Sequence, residues 1–259
     1  MFRDLWASRE LAWRIFVRDI SSQYRQTFLG YVWAFLPPLI SSVTFIFLNS
    51  QGIIQVTGTG IPYPAFALMG TLLWQVFMDA LQSPIQSTAQ AKPMLAKINF
   101  PREAILLAGS YLVGLNFMIR LVLLIIVMLW WQVIPGIGLA LFIPAVIALF
   151  TCGLAIGLIL APIASLYGDV SRAISIITQF WMLLTPVVYP PLTTGLAGTL
   201  VAWNPVSPLI VTARESLTNQ PFTMLPQFFI VFGASVVLLF IAWFVYRVAM
   251  PHIIVRLGG

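Results

Sequence analysis

The chain has 259 residues, 60% of them hydrophobic and only 8% charged, with a net charge of +6. A soluble domain carries roughly 25% charged residues, so water cannot be the solvent for most of this surface. The bilayer takes its place, and the basic excess then marks a cytoplasmic face rather than a nucleic-acid partner.

The first element, residues 1–25, is amphipathic. On a helical wheel Phe2, Leu5, Trp6, Trp13, Phe16, Val17 and Ile20 share one face. Arg3, Glu10, Arg14 and Arg18 share the other, and Glu10 and Arg14 form a favourable i,i+4 pair. The pattern predicts a helix lying in the plane of the inner leaflet. Arg9 falls in the apolar face and fits only by snorkelling. The scattered charges rule out the apolar core of a cleavable signal peptide.

Six apolar runs long enough to cross follow, at 31–49, 64–81, 104–131, 139–165, 173–189 and 228–246. Basic residues test the count. Five Arg lie in 1–30, and Lys92, Lys97 and Arg102 in 82–103. Arg172 lies in 166–172, and Arg247 and Arg256 in the tail. The intervening links 51–62 and 132–138 carry none, and 190–227 carries only Arg214. This alternation predicts six spans with both termini cytoplasmic. Pro37, Pro38 and Pro186 are expected to bend their spans.

Between the fifth and sixth spans, 190–227 is rich in proline yet mostly apolar. It reads either as two half-helices re-entering the outer leaflet or as a loop resting on the surface. One all-α membrane domain, 1–259, covers the chain.

Chemical motifs are few. There is no phosphate-cradling G-x-x-x-x-G-K-[ST] sequence, so the chain is not expected to hydrolyse ATP. Cys152 is the only cysteine and His252 the only histidine, which leaves no internal disulfide and no metal centre. No catalytic residue and no cofactor is assigned. Two charges fall within spans. Asp79 reads as lying near the cytoplasmic end of the second. Arg120 lies deep in the third, as a structural pair with Glu215 or outer carbonyls, or as a pore contact for an anionic substrate. Gly153, Gly157 and Ala161 form a small-residue stripe suited to close helix packing, within the chain rather than against a second subunit. The aromatics divide between interfacial belts and a sugar-compatible pore lining, for which Phe35, Trp74, Phe77, Phe180 and Trp181 are the candidates.

Residues 23–38 read Gln-Tyr-Arg-Gln-Thr-Phe-Leu-Gly-Tyr-Val-Trp-Ala-Phe-Leu-Pro-Pro. The core formed by Arg25, Gln26, Thr27, Leu29, Gly30, Trp33 and Pro37 resembles the signature of ABC-2-type permeases that export O-antigen, capsule or teichoic-acid polymers. Matches continue in order at 99–103 (Asn-Phe-Pro-Arg-Glu), 167–172 (Tyr-Gly-Asp-Val-Ser-Arg), 185–189 (Thr-Pro-Val-Val-Tyr) and 203–208 (Trp-Asn-Pro-Val-Ser-Pro). The O-antigen branch is the nearest match.

The resemblance implies a homodimeric inner-membrane permease working with two ATPase subunits, which bind ATP and Mg themselves. It implies a coupling segment at 82–103, with Gln86, Lys92, Lys97, Arg102 and Glu103 meeting the ATPase. It also implies that Arg14, Arg18 and Arg25 stand near the headgroup of a lipid-linked polysaccharide, or else serve topology and membrane-lipid contact alone. An exporter of small amphipathic molecules and an ATP-independent channel or transporter are the competing readings.

Overall fold

The computed structural model describes residues 6, 8–25, 35–54, 56–95, 101–192 and 194–258, without the side chains of 22–25, 92–95 and 254–258. Among these residues every regular element is a helix. In chain order they are α1 (Arg9–Arg25), α2 (Leu36–Ser50), α3 (Tyr63–Leu95), α4 (Arg102–Trp130), α5 (Phe142–Leu166), α6 (Gly168–Leu184), α7 (Gly195–Trp203), α8 (Val206–Thr218) and α9 (Leu225–Gly258). A 3₁₀ turn, Ile137–Leu141, leads into α5.

Four helices are long and apolar enough to cross a bilayer: α3, α4, α5 with its leading turn, and α9. They coincide with the second, third, fourth and sixth expected spans. The first and fifth correspond to shorter helices, α2 with 15 residues and α6 with 17. At 1.5 Å per residue these are about 22 and 26 Å long, short of a hydrocarbon core of about 30 Å. Residues 31–34 of the first expected span lie outside the described set.

The prolines act differently from expectation. Pro37 and Pro38 sit in the first turn of α2, where a missing N–H costs nothing. Pro186 lies beyond the end of α6 rather than within it. The residue before a proline avoids helical backbone, and Thr185 is extended (φ −102°, ψ 139°). The α6 helix therefore runs five residues earlier than the expected fifth span, and a single residue, Tyr167, separates it from α5.

The axis of the bundle is α3. Within its most apolar stretch 83% is buried, against 28% for α4 and 22% for α9. It packs on α5, α4 and α2, while α9 and α8 close over α5. Gly153 and Gly157 let α5 lie against the α3 backbone: a Cβ at Gly153 would strike the carbonyl of Phe77, and one at Gly157 the carbonyl of Leu81. The small-residue stripe thus serves packing within the chain.

Helix α1 leans on α4, burying Ala12, Ile15 and Phe16 against Ala104 and Ala108. Phe16 and Trp13 also make edge contacts with Tyr111. Trp6, Trp13 and Val17 remain exposed, so the apolar face divides between protein and surroundings. Arg9 is accommodated by lying 4.6 Å over the Trp6 ring.

Short helices fill 190–227. The axes of α7 and α8 differ by 88° across Asn204 and Pro205. Every residue of α8 is buried, including Arg214 and Glu215. The Arg214 guanidinium donates to the carbonyls of Pro186 (3.1 Å) and Val187 (2.9 Å) and lies 3.7 Å over Phe66. Asn204 ties the α7–α8 corner to α6. Its Oδ1 accepts from Trp181 Nε1 (3.0 Å) and from the Val206 N–H (3.1 Å), and its Nδ2 donates to Thr185 Oγ1 (2.8 Å). Asn204→Ala should lower stability by about 2–3 kcal/mol, because several buried partners lose their bonds at once. The thermal midpoint in detergent reads this directly.

Candidate functional site

A concavity that brings charged and polar side chains together lies beneath α1, between α3 and α4. Its volume is about 550 Å³. Gln82, Gln86 and Gln90 line it at successive turns of α3, interleaved with Ser83 and Ser87. Residues four apart share a helix face, so the sequence Gln-Ser-x-x-Gln-Ser-x-x-Gln builds one polar wall. Gln86 Nε2 donates to Gln82 Oε1 at 2.8 Å. Asn116 of α4 faces this wall, and Ile15, Phe16, Leu112 and Val113 supply apolar surface.

The wall exists because α3 does not stop at 81. The segment 82–95, expected to begin a cytoplasmic loop, continues the same helix to Leu95. The apolar run ends at 81, but Ser83 and Pro84 are still buried beside α4 and α5 while Gln86 and Gln90 are exposed, so the helix continues without a continuous apolar face.

At the head of the cavity stands a buried ion pair. Arg120 Nη1 lies 2.6 Å from Asp79 Oδ2, and Asn116 Nδ2 donates to the same oxygen at 3.3 Å. Arg120 is 6% exposed. This corrects the expected partner: Glu215 instead accepts from the N–H (3.1 Å) and hydroxyl (2.6 Å) of Thr223. Asp79 is at the midpoint of α3 rather than near a span end, which brings it level with Arg120. At the cavity rim Arg18 pairs with Asp19 at 2.8 Å.

The other site residues separate into several places. Arg14 is exposed on α1. Arg102 is half-buried at the start of α4. Glu103, 13% exposed, faces Arg247 of α9 at 3.7 Å, an intramolecular contact where an ATPase contact was expected. Glu103→Gln should therefore change stability by less than about 1 kcal/mol and leave partner binding unaltered, as a pull-down would show. Pro37 is exposed at the start of α2, and Phe35 is half-buried just before it. Trp74 and Phe77 are not on an open surface: they are buried in the core, in edge contact with the half-buried Trp181. Phe180 projects outward at 64% exposure. Leu29, Gly30, Trp33 and Lys97, and the side chains of Arg25 and Lys92, lie outside the described residues.

Sequence reasoning missed Gln82, Gln90, Ser87 and Asn116 as one constellation. The four-residue glutamine period was the available signal.

Known proteins bear on this arrangement. The sequence profile of the ABC-2 type transporter family matches residues 10–218. A Myxococcus xanthus protein named O-antigen export system permease protein RfbA is 25% identical over 246 residues, 93% of each chain. Two proteins of that name from Klebsiella pneumoniae are 23% identical over 207 residues, 78% of each chain.

Proposed function

This chain belongs to the ABC-2 type transporter family, and on that footing we propose that it is the permease subunit of an ATP-driven exporter of a lipid-linked polysaccharide. The supporting observation is the likeness to O-antigen export permeases along 93% of both chains. The short link 51–62 between α2 and α3 agrees with it, since it leaves no room for an external domain.

In this reading two copies of the chain form the pore and two ATPase subunits bind ATP and Mg. The chain crosses the cytoplasmic membrane six times, with α2 and α6 completing the spans and both termini inside. Helix α1 lies in the inner leaflet with Trp6, Trp13 and Val17 toward lipid. The α7–α8 corner re-enters from the outside, and its buried α8 satisfies the requirement that short helices at membrane depth be covered by protein. The α3 end and 96–103 meet the ATPase through Lys92, Lys97 and Arg102. Arg14, Arg18 and Arg25 stand at the headgroup level, where guanidinium suits a pyrophosphate. Phe35 and the outward-facing Phe180 are the pore-lining candidates that remain available to a cargo.

Affinity purification from the native host, followed by native mass spectrometry, tests this. Two copies of the chain with two nucleotide-binding subunits is the expected result. A chain recovered with no ATPase, even after cross-linking, would refute it.

A further inference from the structure

Among the described residues, the cavity beneath α1 offers hydrogen bonds without net charge. Asp79 is matched by Arg120 and Arg18 by Asp19. What remains for a ligand is a row of three carboxamides, the Ser87 hydroxyl and Asn116. A carboxamide both donates and accepts, as does each hydroxyl of a sugar, whereas a phosphate would seek unmatched cations. The opposite wall, Ile15, Phe16, Leu112 and Val113, is apolar and can receive the C–H face of a pyranose. About 550 Å³ falls within the range of small-ligand sites, roughly 300–1,000 Å³.

A second observation points the same way. Ser83 Oγ and Asn116 Oδ1 are buried in this wall with no hydrogen-bond partner. Such atoms are rare in native proteins and call for an explanation. A rotamer change at either side chain would turn the orphan oxygen toward a ligand in the cavity.

We propose that this cavity is a glycan subsite, holding a neutral sugar residue of the lipid-linked cargo beside the membrane surface before it enters the pore. The inference rests on the export reading above. It gives Gln86 a cargo contact instead of an ATPase contact, and adds Gln90 beside it.

The test places a photoreactive benzoylphenylalanine at position 86 of the full chain, in its native host with its partners. Irradiation and mass spectrometry of the adducts should show a sugar-bearing adduct, lost when the first glycosyltransferase of the polymer is deleted. An adduct that persists in that strain and carries a polyhydroxylated phospholipid headgroup, such as phosphatidylglycerol, would overturn the assignment to cargo. The absence of any adduct would overturn it too. In parallel, a Gln86→Leu, Gln90→Leu variant should export about tenfold less polymer, the equivalent of one net hydrogen bond, at unchanged subunit stoichiometry. Gln86→Asn, Gln90→Asn should recover part of that loss. Wild-type export by the leucine variant, in a host where deleting the whole chain abolishes surface polymer, would sink the subsite alone. Surface polymer that survives deletion of the chain would sink the export reading itself.

Discussion

Replacing Arg120 by methionine should cost about 3–5 kcal/mol and remove most folded protein from detergent extracts. The substitution leaves the partly buried Asp79 carboxyl at the middle of α3 without its cation, and with only Asn116 still donating to it. An unpaired carboxyl inside an apolar bundle is costly whether it stays charged or takes up a proton. The pair itself is a different matter, because two desolvated charges roughly offset their own attraction. Asp79→Leu combined with Arg120→Met should therefore recover much of the loss. Fluorescence-detected size-exclusion thermal midpoints of the two single variants and the double variant measure the coupling. A double variant no better than Arg120→Met alone would mean that Arg120 is needed for more than neutralising Asp79.

Gly157→Val should be comparably damaging, at about 3 kcal/mol. The new side chain would meet the Leu81 carbonyl and the Pro84 ring, which lies 2.7 Å from an added Cβ. Backbone cannot move aside as a flexible side-chain tip can, so α5 must separate from α3. Gly114→Ala is the matched control: a Cβ there meets nothing within 4 Å. It should be neutral or slightly stabilising, since alanine is the better helix former. Equal effects at the two positions in a thermal-shift assay would remove the packing explanation.

The apolar runs of α4 and α9 were legible in the sequence because these helices present most of their surface outward, and an outward face must be apolar throughout. Where a helix is screened by protein, that requirement lapses and the signal fades. Residues 82–91 read as a loop because Gln82, Gln86 and Gln90 turn a polar wall to the cavity rather than an apolar face outward. The start of α6 was missed for a different reason: Gly168, Asp169 and Arg172 form a polar first turn, with Asp169 and Arg172 exposed and 3.9 Å apart. The partner of Arg120 was misassigned because Asp79 was measured from a span end that the chain passes without stopping. The motifs around 185–189 and 203–208 were found as strings, and only the structure supplies their reason: Thr185, Asn204 and Trp181 form one hydrogen-bonded knot. Pairings between residues 19 to 41 positions apart leave no local periodicity to read.

The uneven burial of α3 and α9 has a consequence for how this sequence can drift. Along α9, positions such as Ile230, Val237, Ile241 and Phe244 answer mainly to the solvent they face, so one apolar residue serves as well as another. Saturation mutagenesis there should return a periodic record of tolerance, accepting Leu, Ile, Val or Phe and rejecting charge. Along residues 63–85 of α3 nearly every position answers to a neighbouring side chain instead. The same experiment should show intolerance without period, in which size and hydrogen-bonding capacity, and not hydropathy, decide which residues survive.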